Sequence, residues 1–438
     1  MCGVIMLKRT CYSDKLKEGE EVVLSGWVHE RRDLGGIKFI LLRDREGIAQ
    51  ITAPKKKVSE EIFKLIDSLG REWIISVKGN VKSSPQAPNG LEVIPQEIEI
   101  ISTAEPSLPL DPSEKVDADI DTRLDNRFMD IRKPKVTAIF KIRSEILRAA
   151  REYLLSQAFV EIQTPKITAS GTEGGTELFP ISYFEREAFL AQSPQLYKQT
   201  MMSTGMDRVF EMAHYFRAEE SNTRRHLSES DAIDIEMSFI ENEEDVIYIL
   251  ENLVSHILNC VNKNKKNELS LLGIEVNIPS TPFRRVNYDQ AITLLQEGGF
   301  NVRYGEDLGT ETEKALGNIV KEKYGDDLYF LTKYPLSTKP FYTNFDGEIA
   351  RAFDLDYKGV EISSGGQRIH NVDVLKTRIK EKGLPVTSFE AYLKPFRFGM
   401  PPHGGFGLGI DRLLMQMLNL ENIREGVLFP HDRRRLEP

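Results

Sequence analysis

Alternating glycines near the carboxyl end of the chain limit its possible folds more than any other feature. They occur in the run Gly405-Phe406-Gly407-Leu408-Gly409-Ile410-Asp411-Arg412. Without Cβ atoms, the backbone of such a strand can approach a flat or bulky ligand closely. The arginine that follows offers a planar, permanently charged fork that suits phosphate oxygens. The run therefore predicts a nucleotide site where this strand enters a helix.

A second arginine lies much earlier in the chain, in the run Phe216-Arg217-Ala218-Glu219. Two arginines held in this way can grip a nucleoside triphosphate from opposite ends. The sequence has no Gly-x-x-x-x-Gly-Lys-Ser/Thr loop, and no Gly-x-Gly-x-x-Gly opens a strand-to-helix turn. If the chain binds ATP, it does so on a different scaffold.

Composition excludes several classes of protein. The 438 residues, 40% of them hydrophobic and 29% charged, predict a soluble protein of two or three domains. No apolar run reaches the ~20 residues of a membrane span, and no signal peptide is recognisable, so we expect a cytoplasmic location without membrane contact. The scattered cysteines, Cys2, Cys11 and Cys260, argue against structural zinc and disulfides, and any metal is expected to be a hard cation on carboxylates. The net charge of −9 argues against nonspecific coating of nucleic acid but permits a specific partner.

The first part of the chain, residues 1–103, reads as a small β-barrel. Five β-rich segments are predicted, with a helix at Ser59–Leu69 between the third and the fourth. This layout matches an OB-fold, a common oligonucleotide-binding barrel, although a barrel without any ligand fits these residues equally well. The predicted strands are Val22–Val28, Ile37–Leu42, Ala49–Ala53, Ile74–Val81 and Leu91–Ile101.

Prolines and charges at residues 104–133 are typical of a hinge or linker. The remainder, residues 134–438, opens on an amphipathic helix, Val136–Gln157, and a strand that ends at Pro165. Later elements lack a βαβ rhythm, which predicts an α+β domain with a mainly antiparallel sheet flanked by helices. An insertion is expected at about residues 266–345. Predicted strands are Ala188–Ser193, Val209–Phe216, Ala232–Phe239 and Ile349–Glu361, and a helix is predicted at Val246–Val261.

In this order, the segments resemble the three signature motifs of the class II aminoacyl-tRNA synthetases. Motif 1 is the helix and strand from Val136 to Pro165, motif 2 contains Phe216–Glu219, and motif 3 contains Gly407–Arg412. The barrel is similar to the anticodon-binding domain of subclass IIb, which charges aspartate, asparagine or lysine. The match covers nearly the whole chain and is most similar to the aspartyl enzymes of the archaeal and eukaryotic type. It implies a ligase that joins L-aspartate and ATP into aspartyl-adenylate, charges tRNA, and forms a homodimer through motif 1.

The resemblance implies a set of ATP-binding residues, among which Arg217, Arg412 and Glu361 are the catalytic candidates. Arg217 would stabilise the negative charge on the crowded phosphorus of the transition state. Arg412 would stack on adenine and reach the γ-phosphate. Ser230 stands where the family commonly carries an aromatic residue, so Arg412 is expected to bear more of the adenine contact. The other ATP candidates are Glu219, Arg225, His226, Leu227, Gly409, Ile410 and Asp411. From the residues alone, a surface ion-pair cluster and a glycine-rich turn that caps a core helix remain open.

Two carboxylates, Asp354 and Glu361, predict a Mg²⁺ site. A turn at Lys358-Gly359 between two paired strands would bring both to one place. Oxygen ligands beside a triphosphate suit Mg²⁺, and the Ser364 hydroxyl is a further candidate ligand. The alternative is an ordinary exposed acidic hairpin, an interpretation that fits Asp356 better than Glu361.

The resemblance also implies a pocket for aspartate, with Lys198 and Arg368 facing its side chain. An arginine fork binds a carboxylate with two hydrogen bonds and rejects the neutral amide of asparagine. The aspartate-binding candidates are Glu173, Gln195, Lys198, Arg217, Asp234, Ser364 and Arg368. Of these, Glu173 would lie on a loop that closes over the substrate, and Lys198 has a solvated surface lysine as its alternative reading. No general base is required, because the substrate carboxylate is itself the nucleophile.

In the barrel, Phe39 and Gln50 match family positions that stack on anticodon bases and hydrogen-bond to them. A barrel-core position is the alternative for Phe39. Arg31, Arg32 and the run Lys55-Lys56-Lys57 would contact phosphates.

The expected partners are tRNA(Asp) and tRNA(Asn). In archaeal aspartyl enzymes that charge only tRNA(Asp), a tryptophan and a lysine tend to occupy the places of His29 and Pro88; histidine and proline mark enzymes that charge both. The resemblance thus predicts a non-discriminating enzyme. The alternatives are a discriminating aspartyl enzyme, an asparaginyl enzyme and an inactive tRNA-binding paralogue.

Overall fold

A computed structural model describes residues 7–113, 115–169, 177–218, 224–306 and 308–437. The chain divides into two compact units, with the boundary between Pro134 and Lys135. The narrower division predicted above, with a linker at residues 104–133, stays a prediction. Within the described ranges, no helix combines the length and the apolar character needed to cross a membrane.

The first unit contains a five-stranded barrel within residues 7–113. Its elements, together with two short helices that follow, are β1 (Glu21–Asp33), β2 (Ile37–Arg43), β3 (Ile48–Pro54), α1 (Glu60–Ser68), β4 (Ile74–Ser83), β5 (Leu91–Ser102), α2 (Ile120–Asp125) and α3 (Arg127–Asp130). The strands close in the order β1-β2-β3-β5-β4. Along β2, Ile40 and Leu42 are buried in the barrel, whereas Phe39 is only half-buried on the outer face. The prediction of an OB-fold with a helix after its third strand is confirmed.

Strand β1 extends beyond its predicted end at Val28. A bulge interrupts its pairing with β2 between Val28 and Glu30, so His29 lies at the irregular position. A bulge inserts an unpaired residue and re-aims its side chain, which a strand pattern in the sequence does not reveal.

The second unit is built on one large sheet with helices packed against it. Its elements are α4 (Pro134–Ser156), β6 (Val160–Glu161), β7 (Ile167–Thr168), β8 (Pro180–Tyr183), β9 (Arg186–Leu190), α5 (Gln195–Met201), β10 (Arg208–Phe216), β11 (Glu229–Ser238), α6 (Glu243–Asn264), α7 (Lys266–Leu272), β12 (Arg284–Asn287), α8 (Tyr288–Glu297), α9 (Thr310–Tyr324), β13 (Leu328–Thr332), β14 (Phe345–Asp346), β15 (Ile349–Ala350), β16 (Ala352–Tyr357), β17 (Glu361–Arg368), α10 (Val372–Glu381), α11 (Glu390–Phe396), β18 (His403–Gly409) and α12 (Ile410–Met417).

Among the described residues, eight strands form this sheet in the order β12-β13-β16-β17-β18-β11-β10-β6. The pairs β12–β13 and β6–β10 are parallel, and the others are antiparallel. The prediction of an α+β unit with a mainly antiparallel sheet is therefore confirmed. The segment predicted as one strand, Ile349–Glu361, is instead divided among β15, β16 and the start of β17, because a left-handed turn at Lys358-Gly359 reverses the chain.

One face of the sheet carries the main hydrophobic core. Helices α4, α6 and α12 pack there against Ile233 and Ile235 of β11 and Phe406 and Leu408 of β18. Helix α6 begins at a capping box in which Asn242 and Asp245 satisfy each other's backbone N–H groups, so its register on the sheet is well defined. Because strand residues alternate between faces, the residues between these apolar ones point to the opposite side.

Candidate active site

A single row of side chains crosses the sheet on the face away from the core. The strand register pairs Asp354 with Ser364, Ser364 with Gly407, Gly407 with Asp234, and Asp234 with Glu211. Directly paired residues on neighbouring strands point to the same face. The row therefore brings together predicted ligands of metal and amino acid that lie far apart in the sequence.

This row forms part of the floor of a cavity of about 320 Å³. The predicted site residues that line the cavity are Gln195, Arg217, Arg225, His226, Leu227, Asp234, Glu361, Ser364, Arg368, Gly409, Asp411 and Arg412. They come from motifs 2 and 3, from the β16–β17 hairpin and, for Gln195, from the start of α5. The structure thus gathers most of the predicted ATP, metal and aspartate residues around one space.

The other predicted residues either lie outside the described part of the chain or do not line this cavity. Glu173 and Glu219 lie outside the described residues. Ile410 is 1% exposed and belongs to the hydrophobic core, so the structure does not place it in the cavity. Asp354 lines a smaller cavity that shares Glu361 with the large one.

Lys198 is buried behind the cavity, which excludes the alternative of a solvated surface lysine. Its side chain is 3% exposed. Its ammonium group lies 2.7 Å from a carboxylate oxygen of Asp234 and 3.0 Å from the carbonyl oxygen of Phe406. Because Asp234 lines the cavity, Lys198 supports the pocket through this carboxylate.

Arg368 is held at two of its three nitrogens. Its Nε donates to Glu236 at 3.1 Å, and its Nη2 donates to the carbonyl oxygen of Gly405 at 2.9 Å. Glu236 is fully buried and also lies 3.8 Å from Lys198. The two cations and the two carboxylates, Asp234 and Glu236, balance each other. A ligand carboxylate entering the cavity would meet the remaining nitrogen of a preoriented guanidinium.

The glycines of β18 have two different roles. A Cβ on Gly405 would lie 2.1 Å from the carbonyl oxygen of Ile235, so this glycine allows close packing of β18 on β11. Gly407 and Gly409 line the cavity, and the nearest atoms to a Cβ there would be 3.3 and 3.6 Å away. At these two positions the absent side chain leaves space for a ligand.

Arg217 and Arg412 both line this cavity, as the sequence predicted. Arg412 lies in the first turn of α12 and donates through Nη1 to the carbonyl oxygen of Glu361 at 3.0 Å. Arg217 follows the end of β10 and lies over the ring of Tyr215, 5.4 Å from its centre. The alternative of an isolated surface ion-pair cluster does not fit these positions.

Four carboxylates gather at one end of the cavity, and two of them were not singled out from the sequence as ligands. From the sequence, Asp356 is the carboxylate that best fits an exposed acidic hairpin. It is instead 4% exposed, because the pleat of β16 turns it to the same face as Asp354. Glu313 of α9 lines the smaller cavity with Asp354, Asp356 and Glu361. Burial and the charge of Glu361 raise the pKa of Glu313 to about 7. Burial and Asp354 likewise raise the pKa of Glu361, although Arg412 and Lys339 oppose the shift.

These carboxylates fit a divalent metal ion. One oxygen of Asp354 bonds to the Lys339 ammonium group at 2.7 Å, while the other is buried without a hydrogen-bond partner among the described residues. A buried carboxylate oxygen without a partner is costly, and a hard cation satisfies it well. Ser364 is exposed in the cavity beside this group.

The back of the motif 2 hairpin carries a network of charges. Ser230 faces the cavity, so Glu229 points to the other side, where it bonds to His214 at 3.0 Å and His431 at 2.8 Å. His214 also bonds to Asp231 at 2.8 Å. Arg143 of α4 then links Asp231 to Asp411 through two contacts of 2.6 Å. The network connects the hairpin to motif 1 and motif 3.

Because both ring nitrogens of His214 face carboxylates, its hydrogen bond to Asp231, followed by that to Glu229, raises its pKa. The folded state therefore favours the protonated ring, and this stabilisation is complete below the ordinary pKa of about 6.5 and is lost as pH rises through the raised value. We expect His214→Gln to lower the unfolding temperature more at about pH 6 than at about pH 9. Thermal unfolding of both proteins at each pH measures this. His370→Gln, at an exposed histidine, is the control, and an equal effect of His214→Gln at both values would contradict the assignment.

In the first unit, the predicted anticodon residues share the outer surface of the barrel. Phe39 is absent from the barrel core, so the alternative of a core residue is wrong. The Gln50 amide donates to Thr52 and Glu92 at 3.1 and 3.3 Å, and Pro88 begins the turn before β5. Arg31, predicted to contact phosphates, instead donates to the carbonyl oxygens of Ile66 and Asp67.

Comparison with known proteins agrees with these observations. A family model described as tRNA synthetases class II (D, K and N) matches residues 119–433, and one described as OB-fold nucleic acid binding domain matches residues 22–101. The chain is 59% identical to an aspartate–tRNA(Asp) ligase of Pyrococcus horikoshii, over 98% of this chain and 100% of the relative. It is 54% identical to an aspartate–tRNA(Asp/Asn) ligase of Methanocaldococcus jannaschii, over the full length of both.

Among solved structures, an asparaginyl-tRNA synthetase from Pyrococcus horikoshii in complex with asparaginyl-adenylate is similar over 99% of this chain and 100% of that chain, with a TM-score of 0.92 and 35% identity. The chain therefore belongs to the class II tRNA synthetases of the D, K and N group and, within that group, to the aspartate–tRNA ligase family. Enzymes of this class use ATP with a divalent metal ion.

Proposed function

We propose that the chain activates L-aspartate with ATP and Mg²⁺, and transfers it from aspartyl-adenylate to the 3′ end of both tRNA(Asp) and tRNA(Asn). The observation that carries the choice of aspartate is Arg368, which lines the cavity with two of its nitrogens already fixed by Glu236 and Gly405. A carboxylate side chain complements this guanidinium, whereas the amide of asparagine does not.

For the first step, the substrate carboxylate attacks the α-phosphorus of ATP and pyrophosphate leaves. Arg217 stabilises the charge that builds up on the phosphoryl oxygens, and Arg412 holds the adenine and the γ-phosphate. Arg225, His226 and Leu227 border the triphosphate, as their place in the cavity wall allows. Glu361, Ser364 and Asp354 would hold Mg²⁺, which supplies neutralising charge beside the phosphates.

The pocket for the amino acid lies at the other end of the cavity. Asp234 and Gln195 receive the α-amino group, while Arg217 meets the α-carboxylate. Asp234 can serve because Lys198 holds one of its oxygens at 2.7 Å and so fixes its orientation. The solved relative that binds asparaginyl-adenylate makes asparagine the second candidate substrate. Arg368 and its buried partner Glu236 favour aspartate.

The barrel accounts for the choice of tRNA. Phe39 presents a partly exposed ring on the outer face for stacking on an anticodon base. The Nδ1 atom of His29 lies 3.1 Å from Nη1 of Arg43, which can only donate, so Nδ1 accepts and Nε2 carries the proton. Burial and Arg43 hold the pKa of His29 below its ordinary value, which favours this neutral form.

A neutral histidine that donates through Nε2 suits an enzyme that accepts two tRNAs. The codons of aspartate and asparagine differ in their first base, so the anticodons differ in their last base. This base is cytosine in tRNA(Asp) and uracil in tRNA(Asn). Both bases carry the same O2 acceptor, to which an N–H donor can bond without distinguishing them. Pro88, at the turn before β5, offers no backbone N–H there.

Two assays on the purified protein test this proposal. Aspartate should support ATP–pyrophosphate exchange and asparagine should not; exchange with asparagine alone would refute the choice of amino acid. In charging assays, transcripts of tRNA(Asp) and tRNA(Asn) should both accept aspartate. Charging of the tRNA(Asp) transcript alone would show a discriminating enzyme, and no exchange with either amino acid would indicate an inactive tRNA-binding protein.

The roles of the two units can be separated by a change in the barrel. We expect Phe39→Ala to leave aspartate-dependent exchange unchanged, because this step does not involve tRNA. Charging of tRNA should fall roughly 10- to 100-fold in kcat/KM, since base stacking on an aromatic ring contributes ~1–3 kcal/mol. Phe39→Tyr, which keeps the stacking face, is the control. An equal loss in exchange and charging for Phe39→Ala would contradict this separation.

We further propose a cytoplasmic homodimer in which α4 and β6, the motif 1 elements, form the contact between subunits. Closed twofold assemblies of this kind bury the same surface on both copies. Light scattering of the purified protein should give twice the chain mass of 49.9 kDa. A monomer mass at micromolar concentration would exclude the dimer.

A further inference from the structure

The layer of helices on the face of the sheet opposite the cavity holds a further group of polar side chains. Three potential ligands meet there: Glu152 near the end of α4, and His256 and Cys260 on α6. His256 and Cys260 are four residues apart, so one face of the helix presents both. The spacing of the cysteines in the sequence argues against structural zinc, because no Cys-x-x-Cys pair occurs; the contribution of a second helix to this group becomes visible only in the fold.

The geometry of this group points to a metal site. An oxygen of Glu152, a ring nitrogen of His256 and the sulfur of Cys260 all lie within 4.8 Å of one another. The distance from Nε2 of His256 to Sγ of Cys260 is 3.4 Å. Zinc bonds of about 2.0–2.1 Å to nitrogen and 2.3 Å to sulfur, at a tetrahedral angle, place these atoms about 3.5 Å apart. The pair is thus already spaced for a shared ion.

The surroundings support these side chains in their positions. Arg148 donates to Oε2 of Glu152, which leaves the other carboxylate oxygen for a ligand. The ring of Tyr153 packs against His256 with centroids 5.6 Å apart. Ligating carboxylates and imidazoles in metal sites are commonly held by such outer contacts.

We propose that Glu152, His256 and Cys260 bind one Zn²⁺ or Co²⁺ ion, with water as the fourth ligand. A thiolate and an imidazole select these ions over Mg²⁺, whereas the oxygen ligands of the active-site cavity have the opposite preference. On binding, the Sγ–H bond of Cys260 breaks, a sulfur–metal bond forms and the proton passes to the buffer. No oxidation state changes.

The ion joins α4 to α6 and so stabilises the position of α4. The same helix carries Arg143, whose contacts of 2.6 Å with Asp231 and Asp411 link motif 1 to motifs 2 and 3. The bound ion therefore holds α4 and α6 together on the side of the sheet opposite the cavity. It is independent of which amino acid or tRNA the enzyme uses.

Titration of the full-length, tag-free protein with Co²⁺ in excess Mg²⁺ tests the site. We expect one Co²⁺ per chain, with the near-ultraviolet absorption of a thiolate-to-cobalt charge transfer. Cys260→Ser should abolish this absorption, and His256→Gln or Glu152→Gln should weaken Co²⁺ binding roughly 10- to 100-fold. Cys11→Ser is the control, because Cys11 is a half-buried thiol in the other unit and should leave the absorption unchanged.

A second readout separates a structural site from simple binding. Zn²⁺ should raise the unfolding temperature of the original protein and of Cys11→Ser, but not that of His256→Gln. Absorption that is missing in the original protein, or that persists in Cys260→Ser, would overturn the proposal. Equal stabilisation of His256→Gln by Zn²⁺ would do the same.

Discussion

Arg217→Ala is expected to reduce aspartate-dependent ATP–pyrophosphate exchange by about 10³-fold, mainly through kcat. The guanidinium lines the cavity in which we propose that the substrate carboxylate attacks phosphorus. Negative charge increases there only as the transition state forms, so a preoriented cation stabilises that state more than bound ATP. Exchange rates measured over a range of ATP and aspartate concentrations separate the effect on kcat from that on KM.

Arg208→Ala is the matched control for this change. Arg208 begins the same strand, β10, but its side chain lies outside the cavity, over the ring of Phe159 and bonded to the carbonyl oxygen of Gln157 at 3.0 Å. Its loss should lower the unfolding temperature and leave exchange within a few-fold. Similar losses of exchange in both variants, with unchanged folding, would show that Arg217 has no special role.

Much of this site could be predicted, because the sequence shows which segments are strands. Alternation along β11 and β18 places Asp234 and Gly407 on one face and Ile233 and Phe406 on the other, as periodicity alone would suggest. The register between strands is a different matter. It depends on turns such as Lys358-Gly359, and only the register shows that Asp354, Ser364, Gly407 and Asp234 form one row.

The residues that sequence reasoning missed have no local signal. Glu313 lies on a helix within the stretch predicted as an insertion, and its carboxylate meets the others only because α9 packs beside β16 and β17. Glu236 resembles an ordinary charged strand residue until its burial and its contact with Arg368 are seen. Asp356 is the exception: it lies two residues after Asp354, so the alternation along a strand places both side chains on the same face.

The second large effect is expected at Arg368. Arg368→Gln should lower kcat/KM for aspartate activation by about 10³-fold, since a buried carboxylate that loses its cationic partner costs ~3–5 kcal/mol. The glutamine amide can pair with a neutral amide, so the preference for aspartate over asparagine should shrink by a similar factor. Exchange rates with each amino acid measure both quantities. An unchanged preference would remove Arg368 from the side-chain pocket.

This change also leaves Glu236 without its arginine, and that loss must be separated from the loss of substrate recognition. Glu236 keeps Lys198 at 3.8 Å, but the pocket gains an uncompensated charge. The double variant Arg368→Gln/Glu236→Gln restores neutrality and should recover most of the unfolding temperature without recovering aspartate activation. If the double variant recovered activation together with stability, the role of Arg368 would be only to neutralise the charge of Glu236. A guanidinium that binds the substrate cannot be replaced by removing the charge of Glu236, its partner in the protein.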